Sequence, residues 1–133
     1  MSKPNVVFLC VHNAGRSQMA LGFFETIAGD RATAWSGGSA PKDAVNPVAV
    51  EVMAEKGIDI AGRTPQRWTV EGLREADVIV TMGCGDECPF IPGKRYLDWP
   101  LDDPAGLPAD AVRPIRDEIE RRVRALVAEL LPD

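Results

Sequence analysis

Long apolar runs are missing from this chain, and no stretch approaches the length that a bilayer-crossing helix requires, so a helical membrane protein is not expected. Cysteine is scarce and odd in number, three among 133 residues, which argues against a disulfide-stapled secreted domain. The cytoplasm is the expected setting, where thiols stay reduced and cysteines more often do chemistry. The segment Met1-Ser2-Lys3-Pro4-Asn5 runs straight into an apolar stretch and lacks a signal-peptide layout. Positive charge is also in deficit, with 15 Lys and Arg against 20 Asp and Glu, and the net charge of −5 disfavours a nucleic-acid partner. Aromatic residues make up 6 %, and Trp35, Trp68, Trp99 and Tyr96 suit packing better than base stacking. With His12 the lone histidine, a metal site would have to combine it with cysteines from separate loops at an unusual spacing. No bound metal or cofactor is therefore expected.

What is present fits one compact domain over residues 1–133: 45 % of residues are hydrophobic, and no repeat, linker or low-complexity tract interrupts them. Short apolar runs alternate with amphipathic stretches. Val6–Cys10, Thr33–Ser36, Asp77–Met82 and Arg95–Trp99 have the length and character of strands. Between them, Ser17 to Ala28 carries Met19, Phe23, Phe24 and Ile27 at helical spacing. Asn46-Pro47 supplies an N-cap followed by a first-turn proline, and Thr69–Glu75 suits a short helix. The last helix carries Val112, Ile115, Ile119, Val123, Leu126 and Leu130 on one stripe. Its arginines 113, 116, 121, 122 and 124 alternate with Asp117, Glu118 and Glu120, which suggests a solvated face. Strands alternating with helices imply an α/β fold, a parallel sheet covered on both sides. Ligands then bind outside the carboxyl ends of the strands. Cys10, the Cys84/Cys88 segment and Asp102-Asp103 all follow strand ends, so one rim gathers them.

The loop Cys10-Val11-His12-Asn13-Ala14-Gly15-Arg16-Ser17 is the most informative segment. A strand that turns tightly into a helix aims successive backbone N–H groups into one hollow, where the helix dipole adds positive potential. Arg16 brings a planar fork suited to two oxygens of a tetrahedral anion. The same field favours the thiolate of Cys10, the nucleophilic form. Val11, His12, Asn13, Ala14, Gly15, Arg16 and Ser17 are thus candidate oxyanion ligands around a nucleophilic Cys10. Asn13 tolerates a left-handed backbone, and Ser17 can cap the helix or donate to the Cys10 sulfur.

Met82-Gly83-Cys84-Gly85-Asp86-Glu87-Cys88-Pro89 carries the other two thiols, four residues apart and flanked by glycine and proline. Set near a nucleophilic thiol, such a pair outlines a disulfide relay. Asp103, fixed by Pro104, is preferred over Asp102 as an acid for a departing oxygen. His12 either donates to the bound anion or tunes the loop.

These segments resemble, in order, the anion loop, redox segment and acid loop of arsenate reductases built on the low-molecular-weight tyrosine phosphatase fold. The resemblance runs from about Val6 to the last helix. It implies a low-molecular-weight phosphatase-like α/β fold, a four-stranded parallel sheet in the order 2-1-3-4 flanked by helices on both faces. It further implies that Cys10 attacks arsenate, Asp103 protonates the departing oxygen, and Cys84 then attacks Cys10 to release arsenite. Cys88 would move the disulfide to Cys84–Cys88 for external thioredoxin to reduce. Phosphate and sulfate would mimic the substrate, and a monomer is expected. Leu21 stands where some members use an acidic residue for potassium, so no such cation is expected. Two alternatives stay open: a phosphatase that needs neither Cys84 nor Cys88, and a mycothiol-dependent arsenate reductase.

Overall fold

The computed structural model describes residues 3–83 and 90–132; Cys84 and Cys88 lie outside that set. Its strands are β1 (Asn5–Cys10), β2 (Thr33–Gly38), β3 (Val78–Thr81) and β4 (Arg95–Asp98). They form one sheet in the order β2-β1-β3-β4, with every neighbouring pair parallel, as expected from the sequence. The helices are α1 (Arg16–Ala28), α2 (Pro47–Ala54), α3 (Val70–Arg74) and α4 (Ala109–Leu130), with a 3-10 turn at Gly29–Arg31.

Alternation along β1 divides the core. Val6, Phe8 and Cys10 join the larger cluster, with Met19, Phe23 and Phe24 of α1, Val52 and Met53 of α2, and Ile119 and Val123 of α4. Val7 and Leu9 point the other way, to Leu73 of α3, Ala76 and Ile79. With both faces covered, a strand can be apolar at every position, and Val6 to Leu9 are all fully buried. Phe8 fills the middle of the larger cluster, its ring edge-on to Phe24 at 5.8 Å.

Register brings the strand ends level. Cys10 pairs with Gly38, Leu9 with Thr81, and Thr81 with Asp98, so the segments that follow all four strands leave from one edge. Across that edge α2 starts as anticipated: Asn46 Oδ1 accepts from Val48 N at 2.8 Å and Ala49 N at 3.4 Å, and Pro47 occupies the first turn.

One expectation for α4 needs correction. Arg116 is not on a solvated face but 7 % exposed. Its position follows Val112 and precedes Ile119, so it shares the stripe packed on α2. There Nη1 donates to the carbonyl of Val52 at 2.9 Å and to Glu55 Oε1 at 2.6 Å. The cation thus satisfies a carbonyl of the last turn of α2, at the negative end of the helix dipole. Charge alternation alone could not distinguish a capping arginine from a solvated one.

Hydrogen bonds from Arg113 and then Arg116 hold Glu55 down to about 2, well below the usual carboxylate range. A carboxylate depressed on folding adds stability above its ordinary titration range and loses it as pH falls towards the folded value. Its side chain is 38 % exposed, so solvent screens the effect. Glu55→Gln is expected to lower the melting temperature at pH 7, with the difference closing between pH 4.5 and about 2 in thermal melts.

Candidate active site

The loop between β1 and α1 is turned inside out relative to an ordinary connection. Every carbonyl from Val11 to Gly15 is engaged on the outer side. Val11 O accepts from Ala40 N at 2.9 Å, His12 O from Lys42 N at 3.0 Å, and Ala14 O from Asn46 N at 2.8 Å. Asn13 O accepts from Gln18 Nε2 at 3.0 Å, and Gly15 O from Met19 N at 2.9 Å. The peptide bonds are trans and planar, so the partner N–H of each unit points the opposite way. The amides of His12, Asn13, Ala14, Gly15 and Arg16 are thereby aimed at the inside of the loop. Such a nest of amides at the start of α1 suits an anion.

Asn13 holds this shape. It is fully buried with φ of 50°, the left-handed region that asparagine enters more readily than most residues. Its Oδ1 accepts from the backbone N–H of Gln66 at 2.9 Å, which orients the amide. Its Nδ2 then donates to Ser36 Oγ at 3.0 Å and to Ser17 Oγ at 2.7 Å. Ser17 makes no side-chain cap; Gly15 is the N-cap of α1, and the Ser17 hydroxyl lies 2.8 Å from Cys10 Sγ. Because Ser17 Oγ already accepts from Asn13, its own proton is free for the sulfur. The chain Asn13–Ser17–Cys10 thus presents a hydroxyl to that sulfur.

Arg16 is 5 % exposed. Nη1 donates to the carbonyl of Leu101 at 3.2 Å, and Nη2 lies 3.8 Å from Asp103 Oδ2. Its buried Nε has no hydrogen-bond partner among the described residues, which leaves it a candidate donor to an oxyanion. The chain after β3 passes hard against this guanidinium. Gly83 has φ of +88°, and a Cβ there would run into Arg16 Nη1. Glycine is required twice over, by conformation and by space.

A cleft of about 520 Å³ opens above Cys10. His12, Arg16 and Asp103 line it together with Lys42, Val45 and Asn46 from the segment after β2. Asp103 Oδ1 accepts from Ala105 N at 3.0 Å, an Asx turn that leaves Oδ2 facing Arg16 and His12. Asp102, one residue earlier, is exposed and does not line the cleft. Val11 lends the loop its carbonyl, while its side chain packs on the smaller core cluster. Asn13, expected as an oxyanion ligand, can serve through its backbone N–H only, because its side chain is committed to the scaffold.

The structure therefore brings Cys10, the loop amides, Arg16, His12 and Asp103 together, whereas Cys84 and Cys88 fall in the undescribed segment. Sequence reasoning missed Lys42 and Asn46 as parts of this wall, and Ser36 and Gln66 as supports of Asn13. Asn46-Pro47 carried a helix-cap signal that hid its second use, the Asn46 amide on Ala14.

The family model for low molecular weight phosphotyrosine protein phosphatase matches residues 5–133. Arsenate reductase 2 of Staphylococcus haemolyticus is 38 % identical over 129 residues, covering 94 % of this chain and 97 % of the relative. The thioredoxin-dependent arsenate reductase Cg_ArsC1' of Corynebacterium glutamicum superposes with a TM-score of 0.85 at 39 % identity, covering 96 % of this chain and 62 % of that one. A solved arsenate reductase in the phosphate binding state gives a TM-score of 0.83 at 32 % identity, covering 96 % of this chain and 98 % of that one. By sequence and by architecture, the chain belongs to the low molecular weight phosphotyrosine protein phosphatase family.

Proposed function

We propose that this protein is an arsenate reductase that uses Cys10 as nucleophile and thioredoxin as external reductant. The observation that carries the reading is the outward engagement of the five loop carbonyls from Val11 to Gly15, which turns the amides onto a position above the Cys10 sulfur. A tetrahedral oxyanion there would meet the amides, Arg16 Nε and the thiolate together. The same donors would stabilise the charge that develops as the Cys10 sulfur bonds to arsenic. Asp103 supplies the proton for the departing oxygen.

Reduction itself needs a second thiol. In this reading Cys84 attacks the Cys10 sulfur, the arsenic keeps the bonding pair, and arsenite leaves with a Cys10–Cys84 disulfide behind. Attack by Cys88 on Cys84 frees Cys10 and leaves a Cys84–Cys88 disulfide. Thioredoxin reduces this last bond, in keeping with a cytoplasmic, monomeric enzyme and with the thioredoxin dependence of the similar Corynebacterium glutamicum protein. The competing phosphatase reading shares Cys10, Arg16 and Asp103 but leaves the other two thiols without a task.

Cys10→Ser is expected to abolish arsenate-dependent NADPH consumption in an assay coupled through thioredoxin and its reductase. Cys88→Ser should complete one turnover and stop; sustained turnover by that variant would exclude the relay as written. Gly83→Ala should displace the Arg16 guanidinium and weaken phosphate binding by about tenfold or more, on the scale of a charge-assisted hydrogen bond, as read by calorimetry.

A further inference from the structure

The turn after β4 meets the oxyanion loop through a proline ring. Pro104 is buried, although Asp102, Asp103 and Ala105 around it are exposed. Its ring rests on Gly15 with no room to spare: a Cβ at position 15 would stand 2.7 Å from Pro104 Cγ and 3.5 Å from Cδ. Both residues line the cleft over Cys10, together with Asp103. Resting on the reading of Asp103 as the proton donor, we propose that Gly15 is a notch for the Pro104 ring. The contact sets how close Asp103 comes to the departing oxygen.

The turn moves as a block, so one contact can place its carboxylate. Asp103 Oδ1 accepts from Ala105 N at 3.0 Å, and Pro104 O accepts from Leu107 N at 3.0 Å. The second bond closes a four-residue turn whose third residue, Gly106, has φ of +77°, as a type II turn requires. The proline ring is closed on its own backbone nitrogen and cannot swing aside as a leucine could. Whatever pushes the ring pushes the Asp103–Pro104 peptide with it. Asp103 Oδ2 lies 3.8 Å from Arg16 Nη2 and 4.0 Å from His12 Nδ1. Neither separation is a hydrogen bond, so packing rather than a direct link fixes the distance of this oxygen from the loop.

Carbon atoms in comfortable contact lie about 3.5–4.0 Å apart, so a methyl group at position 15 displaces the turn by about 1 Å. A misplacement of that size at a reacting centre costs up to about a hundredfold in rate. Gly15 thereby serves twice. Its amide belongs to the nest, and its missing side chain makes it a positioning residue for an acid that follows another strand.

Inorganic phosphate isolates this step, since reversible attack by Cys10 transfers ¹⁸O from labelled phosphate to water and needs no reductant. As Cys10 Sγ bonds to phosphorus, one hydroxyl leaves, takes the proton of Asp103 and departs as water. A solvent water then attacks phosphorus, the S–P bond breaks, and the proton returns to Asp103. Gly15→Ala is expected to slow this exchange by about tenfold or more, while phosphate affinity read by calorimetry changes by less than about threefold. Pro104→Ala unseats the acid and should also be slower than wild type. It removes Cγ and Cδ and leaves only a Cβ 3.9 Å from the position of the new methyl group, an ordinary contact. Adding Gly15→Ala to Pro104→Ala should therefore cost less than about twofold in exchange. If Gly15→Ala alone folds poorly, the same second change should restore a cooperative thermal melt. An equal cost of Gly15→Ala in both backgrounds would overturn the proposal, and so would a loss of phosphate affinity in proportion to rate. Exchange at the wild-type rate in Asp103→Asn would do the same, by removing the acid that the notch places. Single-turnover arsenate reduction separates the two readings: exchange that depends on the notch without any reduction of arsenate sinks the reductase and spares the notch.

Discussion

The site depends on one buried side-chain amide. Asn13 takes up a backbone conformation few residues tolerate, receives Gln66 N–H on its oxygen, and spends its nitrogen on two serine hydroxyls. Without it the loop would lose the bridge from β1 to the segment after β2, and Ser17 would lose the donor that directs its own proton to sulfur. Two requirements meet in this residue. The loop must point its amides inward, and the Cys10 sulfur at its floor must be met by a donor. A buried, fully satisfied polar cluster imposes a single arrangement more sharply than apolar packing does, because every alternative leaves a buried group unpaired.

The sheet makes this economical. Four parallel strands with level ends deliver the Cys10 loop, the Lys42–Asn46 wall, Gly83 and the Asp103 turn to one edge. None of those segments needs much stability of its own. The loop's carbonyls borrow N–H groups from Ala40, Lys42 and Asn46, so the wall of the cleft and the shape of the nest are parts of one hydrogen-bond system. The guanidinium of Arg16 is positioned from both sides, by the carbonyl of Leu101 and by a glycine that leaves it room.

How much of this was written in the sequence can be judged residue by residue. β1 was legible because doubly buried strands are uninterrupted apolar runs, and α2 because Asn46-Pro47 is a local signal with a local cause. The parallel sheet followed from alternation of elements, and its strand order from the family resemblance. What was not legible depended on tertiary approach. Arg116 looks like its four arginine neighbours until the end of α2 is set against it. Ser36 and Gln66 belong to the site only through Asn13, across 23 and 53 residues of chain. No periodicity reports such contacts.

A chain of net charge −5 with a proposed oxyanion substrate poses an electrostatic question. Much of the answer lies in how the acidic residues are spent. Glu55, Glu118 and Glu120 are each bound to arginine or lysine along α2 and α4, so their fields are largely cancelled where they arise. Screening removes most of what is left beyond about 10 Å at ordinary ionic strength. An anion in the cleft therefore experiences the amide nest, Arg16 and Lys42 at short range, against Asp103, the one carboxylate lining the wall among the described residues. That carboxylate is in turn shared between Arg16 and His12. Local geometry sets the sign of the potential in the cleft, and the formal charge of the whole molecule does not.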